Sequence, residues 1–344
     1  MDSIDIAKIA GVSRSTVSRV INNYSNVPEQ TREKVMKVIK EYNYVPRASA
    51  RSLVKRKSQT IGLFIVDIHE EMHQGIYNNT YFSPFTASII DYANKKNYFV
   101  LTFSVYKYEG LKKVQDIFRE GRVDAGIFIG VKNNEEYLQE LIEEGYKVAV
   151  IDYDNIHIGS KSNVLIINAD NEGGAYKATS YLIKKGHRRI AHIAGDLDKL
   201  SGLQRINGYK KALEAAGLDY NDKLLFYGNF DMESGYKAAK EIINTSPMPS
   251  AVFASNDSMA MGAIHAFNES GFKIPDDISV MGFDDIELAS YVNPPLTTMH
   301  VFLHKMAMLA ADRVISLIDS NEVDCQHDII PVRLIERFSV KEIR

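Results

Sequence analysis

The 344-residue chain has no tryptophan and a single cysteine, Cys325. One thiol cannot form an internal disulfide, so a packed core has to hold the fold, and a reducing compartment is the natural setting. No apolar run reaches the roughly 18–20 residues that a membrane-spanning helix needs. Met1-Asp2-Ser3-Ile4-Asp5 is acidic and lacks the basic-then-apolar layout of a secretory signal. No Gly-rich phosphate loop, nucleophile elbow or Cys/His cluster occurs. These absences predict a cytoplasmic protein that is not an enzyme, needs no cofactor and has no membrane partner.

What the chain does have is an uneven charge. Residues 1–59 carry twelve Lys and Arg against five Asp and Glu, a net of +7. The remaining residues carry 29 basic against 39 acidic side chains, a net of −10. A small basic head on a large acidic body reads as a nucleic-acid module joined to something that is not one. The overall isoelectric point near 6.3 conceals the split.

The head has helical periodicity. Ser3 is placed to cap a helix bearing Ile4, Ile6, Ala7, Ile9 and Ala10. Gly11 supplies a turn, Val12 faces inward, and Ser13 can cap a second helix from about Arg14 to Asn22. Val17, Val20 and Ile21 fall on one side of that helix; Arg14, Ser15, Ser18 and Arg19 take the other. A third helix is expected over roughly Glu29–Tyr42, with Val35, Val38, Ile39 and Tyr42 closing the core. A polar, Arg-bearing second helix is the layout that enters a major groove. Charge alone would fit any three-helix domain with a solvated basic face.

From Ile61 onward, apolar runs alternate with amphipathic stretches: Ile61–Ile68, Phe99–Val105, Ala125–Ile129, Val148–Ile151, Val164–Ile167, Ile190–Ala194, Ala251–Ala254 and Ile278–Met281. Such runs indicate parallel strands buried on both faces, arranged as two doubly wound α/β lobes. Ligands in such sheets bind beyond the carboxyl ends of strands. Asp152, Asn256 and Asp284 lie there, with Asp257 and Asp285 as structural neighbours. Arg205 lies in Gln204-Arg205-Ile206-Asn207-Gly208-Tyr209.

Several of these words resemble the lactose/galactose repressor (LacI/GalR) family of transcriptional regulators. They are Asp5-Ile6-Ala7-Lys8-Ile9-Ala10-Gly11-Val12-Ser13, Ser15-Thr16-Val17-Ser18-Arg19-Val20-Ile21-Asn22 and Thr31-Arg32-Glu33-Lys34-Val35. The likeness continues through Tyr44-Val45-Pro46 and Ala50-Arg51-Ser52-Leu53. In the body it runs through Gly186-His187-Arg188-Arg189-Ile190-Ala191-His192-Ile193, Asn256-Asp257-Ser258-Met259-Ala260, Gly282-Phe283-Asp284-Asp285 and Pro294-Pro295-Leu296-Thr297-Thr298.

The resemblance implies a helix-turn-helix head (1–46), a hinge helix and linker (47–59) and a periplasmic-binding-protein-like core (60–344). In that reading the N-lobe is about 60–163 and 293–325, and the C-lobe about 164–292 and 326–344. Arg14 and Arg19 are expected at base edges and Ser15 at a base or a phosphate; Thr16, Ser18 and Asn22 fit phosphate contacts, and Ser3 is a further DNA contact. The stretch Ala48–Val54 is too short to hold a helix alone. On paired copies, Ala50 and Leu53 would enter the minor groove, Leu53 as a wedge.

Asp152, Arg205, Phe230, Asn256 and Asp284 are implied as effector contacts, Phe230 by stacking. Carboxylates that accept and an arginine that donates suit vicinal hydroxyls, so the effector implied is a sugar. A purine co-repressor or a phosphoprotein partner is the alternative. The expected protein is a homodimeric, nucleoid-associated repressor of a pseudo-palindromic operator on double-stranded DNA. With no heptad pattern after Ile329–Val340, no tetramerisation helix is expected.

Two departures stand out. The third strand ends at Gly130, where the family often places a polar contact. The loop His69–Phe85 is long and aromatic. It begins His69-Glu70-Glu71-Met72-His73, a zinc-protease pattern, but it follows a strand rather than lying in an amphipathic helix, and no third His follows. A polar loop, not a metal site, is expected.

Overall fold

The computed structural model describes residues 1–44, 57–68, 81–133, 135–154, 163–320 and 326–343. The expected hinge helix with Ala50 and Leu53, the His69/His73 pair and Cys325 lie outside the described residues.

The head folds as three helices, α1 (Ser3–Ala10), α2 (Arg14–Ile21) and α3 (Glu29–Glu41). Asp2, not Ser3, caps α1. Its carboxylate accepts from Ile4 N and Asp5 N at 2.7 and 3.1 Å, and Asp5 returns a bond to Asp2 N at 2.8 Å. This reciprocal box satisfies amide donors that a helix start otherwise leaves unpaired. Ser3 is displaced one position into the helix. Gly11 takes a left-handed conformation (φ +63°), and Ser13 caps α2 by accepting from Thr16 N at 3.1 Å.

Ile6, Ala10, Val17, Val20, Val35 and Val38 form the head core. Tyr42 is not part of it, being 46% exposed. Asn43 adopts a positive φ of 45° after α3 and turns the chain back, so that Tyr44 packs on the core instead.

The body opens with β1 (Thr60–Val66), α4 (Phe82–Lys95), β2 (Phe99–Val105), α5 (Glu109–Arg119), β3 (Ala125–Ile129), α6 (Glu136–Glu143) and β4 (Val148–Ile151). Next come β5 (Val164–Ala169), α7 (Asn171–Lys184), β6 (Ile190–Ala194), α8 (Leu200–Ala215), β7 (Leu225–Tyr227) and α9 (Met232–Ile243). It closes with β8 (Ala251–Ala254), α10 (Asp257–Glu269), β9 (Ser279–Met281), β10 (Thr298–His300), α11 (Leu303–Asp319), β11 (Gln326–Ile330) and β12 (Arg333–Ile335).

Two parallel sheets result. The first has the order β11-β5-β4-β3-β1-β2 and the second β7-β6-β8-β9; β10 and β12 pair antiparallel as a separate ribbon. Strands β1, β3, β4 and β5 are buried almost throughout, as both-face coverage by helices requires.

The expected lobe boundaries need correction. Val164–Ala169 pairs with β4 on one side and with Gln326–Ile330 on the other, so both belong to the first lobe, not the second. The first lobe therefore extends through Ala169 and again through Ile330. An apolar run announces a buried strand but does not say which neighbour it will pair with.

Candidate functional site

On the head, Arg14, Ser15 and Arg19 are exposed along the outer face of α2, and Thr16, Ser18 and Asn22 are half-buried beside them. Arg14 is steadied from another helix: its Nε donates to Ser3 Oγ at 3.1 Å. Ser13 Oγ lies 2.7 Å from Ser15 Oγ and 2.8 Å from Thr16 Oγ1, so the helix start presents a chain of hydroxyls. Asn22 Nδ2 donates to Ser18 O at 2.8 Å. Arg32 is tied inward, donating to Asn23 Oδ1 at 2.7 Å and Tyr24 O at 2.6 Å, and leaves Arg14 and Arg19 as the guanidinium groups on the α2 face.

In the body, the carboxyl ends of the two sheets face one polar cluster. Arg205, on α8, is buried. Its Nε and Nη2 both donate to Asn171 Oδ1, at 3.1 and 2.9 Å, and its Nη1 donates to Ser255 O. The guanidinium lies 3.9 Å from the centre of the Phe283 ring and 5.8 Å from that of Phe230.

Asp284, just past β9, has a carboxylate oxygen 3.4 Å from Arg205 Nη2. That oxygen, Oδ1, is buried and accepts no hydrogen bond. Burial pushes the Asp284 carboxyl up to about 7; Arg205 opposes the rise and Asp152 adds to it. The residue has a φ of +112°, held by Asp284 N donating to Met299 O at 2.8 Å and Val301 N donating to Asp284 O at 3.1 Å.

Asp152 comes from the other lobe, at the end of β4, also with a positive φ (62°). Its Oδ2 accepts from Ser201 Oγ at 2.6 Å and its Oδ1 faces Asn171 Nδ2 at 3.4 Å. Asn168, buried on β5, grips the next residue by both backbone groups. Tyr153 N donates to Asn168 Oδ1 at 3.0 Å, and Asn168 Nδ2 donates to Tyr153 O at 2.9 Å. At the rim, Lys132 Nζ pairs with Asp198 Oδ2 at 2.7 Å, and Asn133 N donates to Asp198 O at 2.8 Å.

The other expected residues sit differently. Asn256 caps α10, its Oδ1 accepting from Met259 N at 2.9 Å, and its Nδ2 donates to Phe230 O at 2.8 Å. It shapes the cleft wall by fixing Phe230, whose φ is +64°. The Phe230 ring lies where a Cβ on Gly195 would stand 2.1 Å away, so only glycine admits it. Asp257 is structural, accepting from Ile286 N at 2.9 Å and Thr298 Oγ1 at 2.5 Å. Asp285 is likewise structural, bonded to His300 Nδ1 at 2.8 Å and Arg337 Nη2 at 2.6 Å.

Three cleft residues escaped the sequence reading. Asn171 bridges Arg205 and Asp152. Its signal was its place two residues after β5. Ser201 precedes Arg205 by four on α8, the spacing that puts two side chains on one helical face. Tyr81, from the end of the His69–Phe85 loop, has its hydroxyl pushed upward by burial and then by the charges of Asp152 and Asp284, which puts it beside the same cluster. Among the described residues, no three His, Cys, Asp or Glu side chains are placed to hold a metal ion.

A three-helix head with an arginine-bearing outer helix, joined to two parallel lobes that enclose a polar cleft, defines a ligand-responsive DNA-binding regulator. Residues 4–47 match the family described as bacterial regulatory proteins, lacI family, and residues 179–340 match the periplasmic binding protein-like domain. The chain is 35% identical over 340 residues to the HTH-type transcriptional repressor PurR of Vibrio atlanticus, covering 98% of both. It is 34% identical over 315 residues to the HTH-type transcriptional regulator CelR of Thermobifida fusca, covering 90% of both.

Among solved structures, the Lac repressor dimer bound to operator and the anti-inducer ONPF superposes with a TM-score of 0.81 at 28% identity, covering 99% of each chain. The CelR–cellobiose complex gives 0.76 at 28% identity, covering 98% of this chain and 99% of that one. The chain belongs to the lacI family of bacterial regulatory proteins. It is a DNA-binding transcriptional repressor with a ligand-binding core, and not an enzyme.

Proposed function

We propose that this protein is a cytoplasmic, nucleoid-associated homodimer that represses a pseudo-palindromic operator and is controlled by a sugar bound between its lobes. The observation that carries the effector reading is the meeting of Asp152 and Asp284, from facing strand ends, with Arg205 on α8; Asp284 Oδ1 is buried, 3.4 Å from Arg205 Nη2, and accepts no hydrogen bond. A buried acceptor without a donor costs free energy that a ligand hydroxyl recovers. A second hydroxyl can take Asp152 by replacing Ser201. Effector binding shifts the lobes and, by linkage, changes operator affinity.

On the DNA side, Arg14 and Arg19 read base edges, Ser15 takes a base or a phosphate, and Thr16, Ser18 and Asn22 hold backbone phosphates, with Ser3 steadying Arg14 at the same face. Ala50 and Leu53 enter the minor groove between the two heads. The exposure of Arg14 and Arg19, with Arg32 tied inward, supports this division.

A purine effector is the second reading, favoured by the relatives named PurR and by the Phe230 and Tyr81 rings beside the cluster. One experiment separates the two. Melting of the full chain is followed with a panel of neutral sugars and nucleobases, because a ligand that binds only the native state raises the midpoint. Each stabilising compound is then added to the protein on its selected DNA duplex. A sugar that stabilises the protein and loosens DNA carries the proposal; a nucleobase that stabilises it and tightens DNA replaces it.

A further inference from the structure

The segment 57–59, where the chain enters the core, is held by side chains that the effector and DNA sites do not use. Asp124, the residue before β3, accepts Ser58 N on Oδ1 at 2.5 Å and Gln59 N on Oδ2 at 2.7 Å. Gln59 has a positive φ of 53°, so the entry is a sharp turn. Asp319, the last residue of α11, pairs with Lys57 Nζ at 3.1 Å and accepts from Tyr98 OH at 3.1 Å. Beside it Lys147, just before β4, donates to Leu317 O at 2.6 Å. Asp124, Tyr98 and Lys147 thus gather at the amino ends of β3, β2 and β4, the opposite end of the sheet from Asp152.

We propose that Asp124 and Asp319 form a clamp that fixes where the linker leaves the core, and that they are positioning residues for operator binding although neither touches DNA. The proposal rests on the dimer reading. Two heads that bind one duplex together act through effective concentration, which depends on the length and stiffness of what tethers them. A clamped entry at 57–59 shortens the free tether on each protomer. The two carboxylates differ in weight. The bonds to Ser58 N and Gln59 N are charge-assisted and paired, whereas the exposed Lys57–Asp319 pair is a surface ion pair of small effect.

The electrostatic expectation for removing these acids has the opposite sign. Neutralising a carboxylate near a DNA-binding head strengthens attraction to a polyanion. A loss of specific affinity therefore reports tether geometry, not charge.

The test uses the full chain with Asp124→Asn, Asp319→Asn and the double substitution. The duplex is one that the wild-type chain selects from a random pool. For Asp124→Asn, specific affinity is expected to fall ~5–10-fold, while affinity for an unselected duplex and the salt slope stay at wild-type values or rise slightly. Limited trypsin digestion supplies a second readout, because the Ser58 N–H that Asp124 holds belongs to the Lys57–Ser58 bond. Cleavage there should accelerate ~10-fold in Asp124→Asn and less in Asp319→Asn.

Unchanged or increased specific affinity with unchanged cleavage overturns the clamp, as does an equal loss on selected and unselected DNA. If Asp124→Asn does not fold, the exposed Asp319→Asn decides by the sign of its smaller effect. If the wild-type chain sediments as a monomer at the concentrations used, the dimer reading fails, and the trypsin rates alone judge the clamp.

Discussion

A single oxygen, Oδ1 of Asn171, accepts both Nε and Nη2 of Arg205, at 3.1 and 2.9 Å. The partner is a neutral amide, so the guanidinium charge is oriented but not cancelled, and it remains available to Asp284 and to a ligand. Asn171→Ala leaves two buried donors without acceptors. The expected cost is about 1–3 kcal/mol, a fall in melting temperature of roughly 2–4 °C per kcal/mol. Calorimetry of the free protein checks both.

Asp284 makes stability depend on pH in a defined direction. Its folded carboxyl is raised to about 7 by burial, with Asp152 adding to the rise against Arg205. In the unfolded chain it titrates near the ordinary aspartate value of about 3.9. Between these values the folded state holds a proton that the unfolded state has lost, so stability falls as pH rises through this window and levels off above about 7. In Asp284→Asn that component disappears. Melting curves of both proteins from pH 5 to 8 should converge in slope above 7 and diverge below it; parallel curves throughout would reject the assignment.

Much of this architecture can be read from residues alone, for a physical reason. Phe99–Val105, Ala125–Ile129, Val148–Ile151, Ile190–Ala194 and Ala251–Ala254 are strands with the bounds their apolar runs imply. For all of these but the edge strand Phe99–Val105, burial on both faces leaves a continuous signal. Pairing leaves none, so nothing in the runs themselves says that Val164–Ala169 and Gln326–Ile330 join the first sheet. In the site, Asp152 and Asp284 are legible as charges at strand ends, and Arg205 by the family-like word around it on α8. Asn171 and Ser201 are not, because a neutral polar residue at a helix start looks the same whether it caps the helix or orients an arginine. Tyr44 replaced Tyr42 in the head because Asn43 reverses the chain, a backbone event that helical spacing does not encode.

Arg14 and Ser3 form a contact between two helices of the head, Nε to Oγ at 3.1 Å. Ser3→Ala frees the Arg14 side chain to sample more rotamers. Head stability should change little, since both groups are partly or fully solvent-exposed. Discrimination against a single base substitution in the selected duplex should fall by a few-fold, within the ~1–3 kcal/mol that a bidentate arginine contact supplies. Arg19→Ala should likewise relax one base position rather than weaken every sequence equally. Gel-shift titrations on duplexes varied one position at a time give both numbers.

The cleft cluster carries two carboxylates, Asp152 and Asp284, against the one guanidinium of Arg205, whose fork is already engaged by Asn171 and Ser255. At pH 8, above the value of about 7 to which burial raises Asp284, both carboxylates are ionised and an anionic ligand meets net repulsion there. A phosphorylated sugar should bind at least ~10-fold more weakly than its neutral parent, and Asp152→Asn should narrow the gap. Titration calorimetry with matched sugar and sugar-phosphate pairs checks both statements.

Gly130, just past β3, bears on how this cleft can change over generations. Its φ is +82°, and a Cβ placed there would lie 2.3 Å from Val66 O and 3.3 Å from the Phe82 ring. Any side chain would have to move a strand backbone, not merely a flexible neighbour. A polar contact at this strand end is thus not one substitution away for this lineage. Drift toward a new ligand has to run through Asp152, Ser201 and the residues around Arg205, and β3 stays a silent wall.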